Sequence, residues 1–261
     1  MADFFQIIRW GHIAAGTIAL IVFWIPAFAK KGGKLHIRAG WVYVVCMSVV
    51  VVTAFTMSGL AFTIPLTIRR ITQPLVGDAL QQFLLRQRLL ASFLGYLGLA
   101  TFAAGWQGIA AIRTRRNPEA MRTTFALLIN AGSVLASLTI LMVGIRYRSG
   151  PLMGMSPVGL LVGLPNLRYL LRGPATRMDW WYQHMVAMIV TGIAGYTAFL
   201  VFGADRTIRS LQYMGPLITL FWVLPGIIGT LAIILWVGYY RRKFKATGVS
   251  NPSSQPATIH A

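Results

Sequence analysis

Apolar residues run without an Asp, Glu, Lys or Arg over positions 10–29, 39–68, 89–112, 123–145, 180–204 and 210–240. A helix rising about 1.5 Å per residue needs about twenty residues to cross about 30 Å of hydrocarbon, and each block supplies them. A seventh block, 149–167, is shorter and is interrupted by Pro151, Pro157 and Pro165. The pattern predicts an all-α fold, a polytopic transmembrane helix bundle of about seven spans at 7–29, 41–66, 89–112, 124–145, 151–171, 180–203 and 213–240. Six spans with a re-entrant fifth segment is the alternative. Between the second and third blocks, RRITQPLVGDALQQFLLRQR spaces Leu75, Leu80, Phe83 and Leu84 along one face, predicting a short amphipathic helix on the membrane surface. The transmembrane domain covers 1–245; the remainder, 246–261, is too polar to pack and reads as a disordered tail.

Composition strengthens this picture. The chain is 56% apolar and 11% charged, more apolar surface than one soluble core buries. Its formal charge of +19 would suggest nucleic acid in a soluble protein, but the cations sit between the apolar runs, so nucleic-acid binding is rejected. With seven spans, one face receives Lys30, Lys31, Lys34, Arg38, Arg113, Arg115, Arg116, Arg122, Arg172, Arg177, Arg241, Arg242, Lys243 and Lys245. The other receives Arg9, Arg69, Arg70, Arg86, Arg88, Arg146, Arg148, Arg206 and Arg209. Short cationic loops stay in the cytoplasm and meet anionic headgroups, which places the N-terminus outside and the C-terminus inside. A membrane-protein partner or a homo-oligomer stays open. Trp10, Trp41, Trp180, Trp181, Tyr182, Tyr239 and Tyr240 lie at predicted span ends and read as interfacial anchors.

Cysteine and the N-terminus narrow the chemistry. Cys46 is alone in an apolar run, so no intrachain disulfide, iron–sulfur cluster or thiolate zinc site can be built, and it reads as a small buried hydrophobe. The Ala-Phe-Ala at 27–29 looks like a signal-peptidase site, but the apolar run before it exceeds the roughly 7–15 residues of a secretory segment, and a retained span is expected.

The stretches KKGGKLHIRAGWVYVVCM, WWYQHMVAMIVTGIAGYTAFLV and WVLPGIIGTLAIILWVGYYRRKF resemble pieces of an uncharacterised bacterial integral membrane protein family, that of domain of unknown function 2306 and its relatives. The resemblance covers about residues 7–60 and 150–245 and is carried by Lys34, His36, Arg38 and Gly40, then His184, Met188, Thr197, Ala198 and Phe199. Trp41 departs from it, standing where a further basic residue is common. It implies a multi-pass protein of the bacterial cytoplasmic (inner) membrane, and it brings no assigned activity.

Histidines supply the first candidate chemistry. His36 precedes the second span and His184 opens the sixth, so seven crossings put both on the cytoplasmic side and His12 on the other. Paired imidazoles at one leaflet can ligate a b-type haem or a transition metal, the basis for reading the chain as a redox or cofactor-binding module. The plainer reading makes His184 an interfacial histidine bonded to Tyr182 or a loop carbonyl, and His36 a lipid-facing cation. A cytochrome with four intramembrane histidines is excluded, because His260 lies in the tail and His36 in a loop.

Absences exclude more. All five acids lie outside the spans or at their edges and no lysine lies within one, so a mid-membrane carboxylate relay and a retinal-type Schiff base drop out. No His-Glu-x-x-His or Walker-type loop occurs. Asn130, Ser133 and Ser137 share one face of the fourth span, through helix packing or as a solute path. The second functional reading is therefore a transporter lined by Asn130, Ser133 and Thr191, with Arg38 or Arg122 attracting an anionic solute. A scaffolding or signalling role is the third.

Overall fold

The computed structural model describes residues 1–71, 75–204 and 218–246, and every regular element among them is helical. In chain order these are α1 (Ala2–Phe28), α2 (Lys34–Thr63), α3 (Pro65–Arg69), α4 (Gly77–Arg113), a 3₁₀ turn (Pro118–Met121), α5 (Thr124–Arg146), α6 (Gly150–Met155), α7 (Pro157–Arg172), α8 (Asp179–Ala198) running into a π-helical turn (Phe199–Ala204), and α9 (Ile218–Ala246). Among the described residues six helices are long and apolar enough to cross a membrane: α1, α2, α4, α5, α8 with its π-helical turn, and α9. Their outward faces are apolar, with Ile7 70%, Ile21 67% and Leu235 68% exposed. A soluble monomer rarely tolerates so much exposed apolar surface, whereas lipid tails solvate it.

Two expectations change. Among the described residues of 69–88 there is no separate surface helix: α3 stops at Arg69, and from Gly77 a single helix of 37 residues continues to Arg113. No proline interrupts 77–113, and Leu, Gln, Arg and Ala propagate a helix once it is nucleated, so the amphipathic stretch becomes the first turns of α4. The fifth segment is not one continuous helix but two meeting at Ser156, because Pro157 carries no N–H to continue α6. At 16 residues α7 extends about 24 Å, short of the hydrocarbon thickness, until Gly173 at φ +73 takes the left-handed cap. The predicted start of the last span at 213 and the tail 247–261 lie outside the described residues.

The chain divides into two compact units. In the first, Met1–Ala103 and Ile129–Leu164, α1 lies along α2: Phe23 meets Tyr43 at 5.6 Å between ring centroids, and a Cβ on Gly16 would touch Val50. The turn after α1 is tied back by Lys31, whose Nζ donates to the Pro26 and Ala27 carbonyls left over at the helix end (2.9 and 2.5 Å). Burial at this turn holds the Lys31 ammonium below the usual lysine range. Cys46, on α2, is a free thiol and only partly buried, more open than the sequence suggests. In the second unit, Ala104–Leu128 with Pro165–Ala261, the described residues place Ala111, Met121, Ala126, Tyr169 and Leu170 in one buried cluster. There α9 approaches α8 where Gly229 faces Ile193.

Candidate functional site

His184 lies in the second turn of α8, about 8 Å below Asp179 at 1.5 Å per residue. Its Nδ1 donates to the Gly108 carbonyl of α4 at 3.1 Å, so its partner is a helix carbonyl rather than Tyr182 or a loop. Gly108 makes that approach feasible: a Cβ there would stand 2.9 Å from the Ala187 Cβ and 3.5 Å from the His184 carbonyl oxygen, with the Met188 methyl closer still. Donation from Nδ1 fixes the tautomer that carries its lone pair on Nε2. One residue away on α4, Gln107 is fully buried; its amide N–H₂ donates to Gln183 Oε1 at 3.4 Å, while its own Oε1 has no hydrogen-bond partner. An unsatisfied buried amide oxygen costs about 1–3 kcal/mol. Gln107 and Gln183 escape a reading of the sequence focused on histidines and charges; the signal is a glutamine within an apolar run.

The other two candidate histidines belong to the first unit. His12 Nδ1 donates at 2.9 Å to Thr53 Oγ1, whose own hydroxyl donates to the Val49 carbonyl at 2.6 Å. His36 Nδ1 donates to the Pro26 carbonyl at 3.0 Å, beside Lys31 at the end of α1. Since Pro26 is fourteen residues beyond His12 on one helix, these two imidazoles are about 20 Å apart and cannot flank one metal. His184 is the only histidine among the described residues of its unit. Among the described residues no three His, Cys, Asp or Glu side chains gather as a metal site. Arg38, on the first turns of α2, and Arg122, before α5, are exposed and belong to different units.

The polar stripe of α5 has a clear location. Asn130 and Ser133 are fully buried and Ser137 nearly so, all against the broken fifth segment. Gly163 comes up against the Asn130 carbonyl and Val134, Gly159 against Ser133, Ser137 and Tyr96, and Gly144 against Leu152 and Met153. Small residues every four positions allow this close approach. At the break, Tyr96 of α4 inserts its hydroxyl into the backbone ladder: it donates to the Ser156 carbonyl (2.6 Å) and accepts from Gly159 N–H (2.7 Å). Ser137 also donates to the Ser156 carbonyl. The junction is eight residues in from Arg88 on α4 and nine from Arg146 on α5, about 12–14 Å inside the charged ends. Tyr96 is missed by reasoning that assigns aromatics to span ends, although its depth within its run distinguishes it. Thr191 is buried on α8, where it donates to the Met188 carbonyl of its own helix (2.8 Å) and meets Gly105.

Helices, exposed apolar faces and internally satisfied backbone define a multi-pass helical membrane protein. No family model, curated protein or solved structure matches the chain.

Proposed function

We propose that the chain is a membrane module that binds a redox cofactor of the b-type haem kind, with His184 as protein ligand. The observation carrying this reading is the hydrogen bond from His184 Nδ1 to Gly108, which orients the ring and makes Nε2 its basic nitrogen, as second-shell partners of ligating histidines do. A haem would bring most of its iron's ligands itself and need only one or two from the protein, so a single imidazole at His184 would fit it better than a metal ion needing three or four side chains. When bound, it supplies one-electron chemistry. The chain's own part is to hold the imidazole between α4 and α8 and to offer the buried Gln107 oxygen as an acceptor. Purified protein should show a Soret band that shifts on dithionite reduction, and His184→Ala should lose it while retaining helical circular dichroism. A featureless wild-type spectrum overturns the reading.

A specific observation favours a second reading, a pathway for a small anionic solute. Discontinuous helices line many transport sites, and the α6–α7 break held by Tyr96 is a discontinuity of that kind. Against it, Asn130, Ser133 and Thr191 are taken up in helix packing. A scaffolding role has no particular observation in its favour.

The proposed placement has loops 30–38 and 113–122 in the cytoplasm, the N-terminus outside and the C-terminus inside, with α6 and α7 together making the seventh crossing, and takes the bacterial inner membrane from the family resemblance. Both the loop bias and the resemblance to the family of domain of unknown function 2306 support it. Single cysteines introduced at each end of a Cys46→Ser chain should label from opposite sides of intact cells. Labelling of both ends from one side removes the seventh crossing and the shared rim of His36 and His184.

A further inference from the structure

The end of the second unit where α4 and α9 finish and α8 begins is cationic and aromatic at once. Exposed Arg113, Arg115 and Arg116 stand at the end of α4, and exposed Arg241, Arg242 and Lys243 near the end of α9. Between them is the first turn of α8. The Arg115 guanidinium lies 5.7 Å from the Trp180 ring centre, and that of Arg241 5.7 Å from Tyr182. Trp181 packs at a tilt against Tyr240, 4.3 Å between ring centres, and edge-on against Phe244 at 5.4 Å, joining the start of α8 and the end of α9 into one surface. The described residues of this unit hold only two acids, Glu119 and Asp179. Asp179 is engaged in its own loop, accepting from Ala175 N–H, Thr176 N–H and the Thr176 hydroxyl.

From this arrangement we propose a specific site for an anionic phospholipid carrying two phosphodiester groups, one phosphate for the cations of α4 and one for those of α9. Two cation groups separated by the aromatic turn of α8 match two phosphates joined by a short linker. Guanidinium forks suit phosphate oxygens, and cations between membrane helices recognise such headgroups. Trp and Tyr belong at headgroup depth, where a lipid phosphate is found, and this favours lipid over a soluble anion. The inference does not depend on a cofactor at His184.

Delipidated protein in neutral detergent should be titrated with a cardiolipin-class lipid, phosphatidylglycerol, phosphatidylcholine and inorganic phosphate, with bound lipid counted by native mass spectrometry and protection followed by thermal unfolding. The lipid with two phosphodiesters should bind at least about tenfold tighter than phosphatidylcholine, with affinity falling as salt rises. Arg115→Gln with Arg241→Gln, both exposed and so compatible with folding, should lose about tenfold or more. Equal retention of phosphatidylcholine, equal protection by inorganic phosphate, or unchanged binding in the double variant each overturns the proposal.

Discussion

Gly159→Ala should lower the unfolding midpoint in detergent by an amount equivalent to about 1–3 kcal/mol, and Gly159→Leu by more. A Cβ at Gly159 would stand 2.9 Å from Tyr96 Cε2 and 3.0 Å from Ser137 Cβ, and closer still to the Ser133 carbonyl oxygen. That last neighbour is backbone in the middle of α5, so it cannot rotate away as a long side chain can. The helices must separate, and separation also pulls Gly163 from Asn130 and Val134 one turn further on. Gly154 on α6 is the internal control, because a Cβ there meets nothing within 4 Å. Gly154→Ala should be neutral or slightly stabilising, since alanine loses less backbone freedom in a helix. Equal midpoints for the two alanine variants would contradict the close α5–α7 seam.

Tyr96→Phe removes one oxygen that serves backbone groups on both sides of the helix break. Gly159 N–H loses its acceptor, and the Ser156 carbonyl loses one of two donors while Ser137 remains. A buried orphan costs about 1–3 kcal/mol, so a loss of about 2 kcal/mol is expected, with an unchanged fold by circular dichroism. The variant also separates the two functional readings. If the helix break serves a solute, organic-anion uptake into proteoliposomes should change markedly with Tyr96→Phe, while the dithionite-sensitive spectrum, which depends on His184, should not. Absence of uptake by wild-type protein over a panel of anions leaves the junction a purely structural device.

What the sequence makes legible depends on the range of the forces involved. The fourth apolar block, expected at 124–145, forms Thr124–Arg146, because a long charge-free run in lipid can satisfy its backbone only as a helix. The same local logic fails at Gly77, where chain propensity carries α4 outward as a continuous helix rather than ending it at the membrane surface. The proline-rich fifth block correctly signals interruption, but Tyr96, which stitches the break, is sixty residues from Ser156 and has no local mark. At the histidine site, residue type singles out His184, whereas its Gly108 partner is seventy-six positions away.

By itself, then, the order of apolar and charged residues determined the solvent, the helical class and the face shared by Asn130, Ser133 and Ser137, since each follows from backbone satisfaction in hydrocarbon and a period of 3.6 residues. Tertiary structure decided which helix each polar face meets: α6 and α7 for the α5 stripe, α4 for His184. Lipid solvates apolar faces without selecting among them, so that choice falls to close approach at glycines and to hydrogen bonds between residues far apart in the chain.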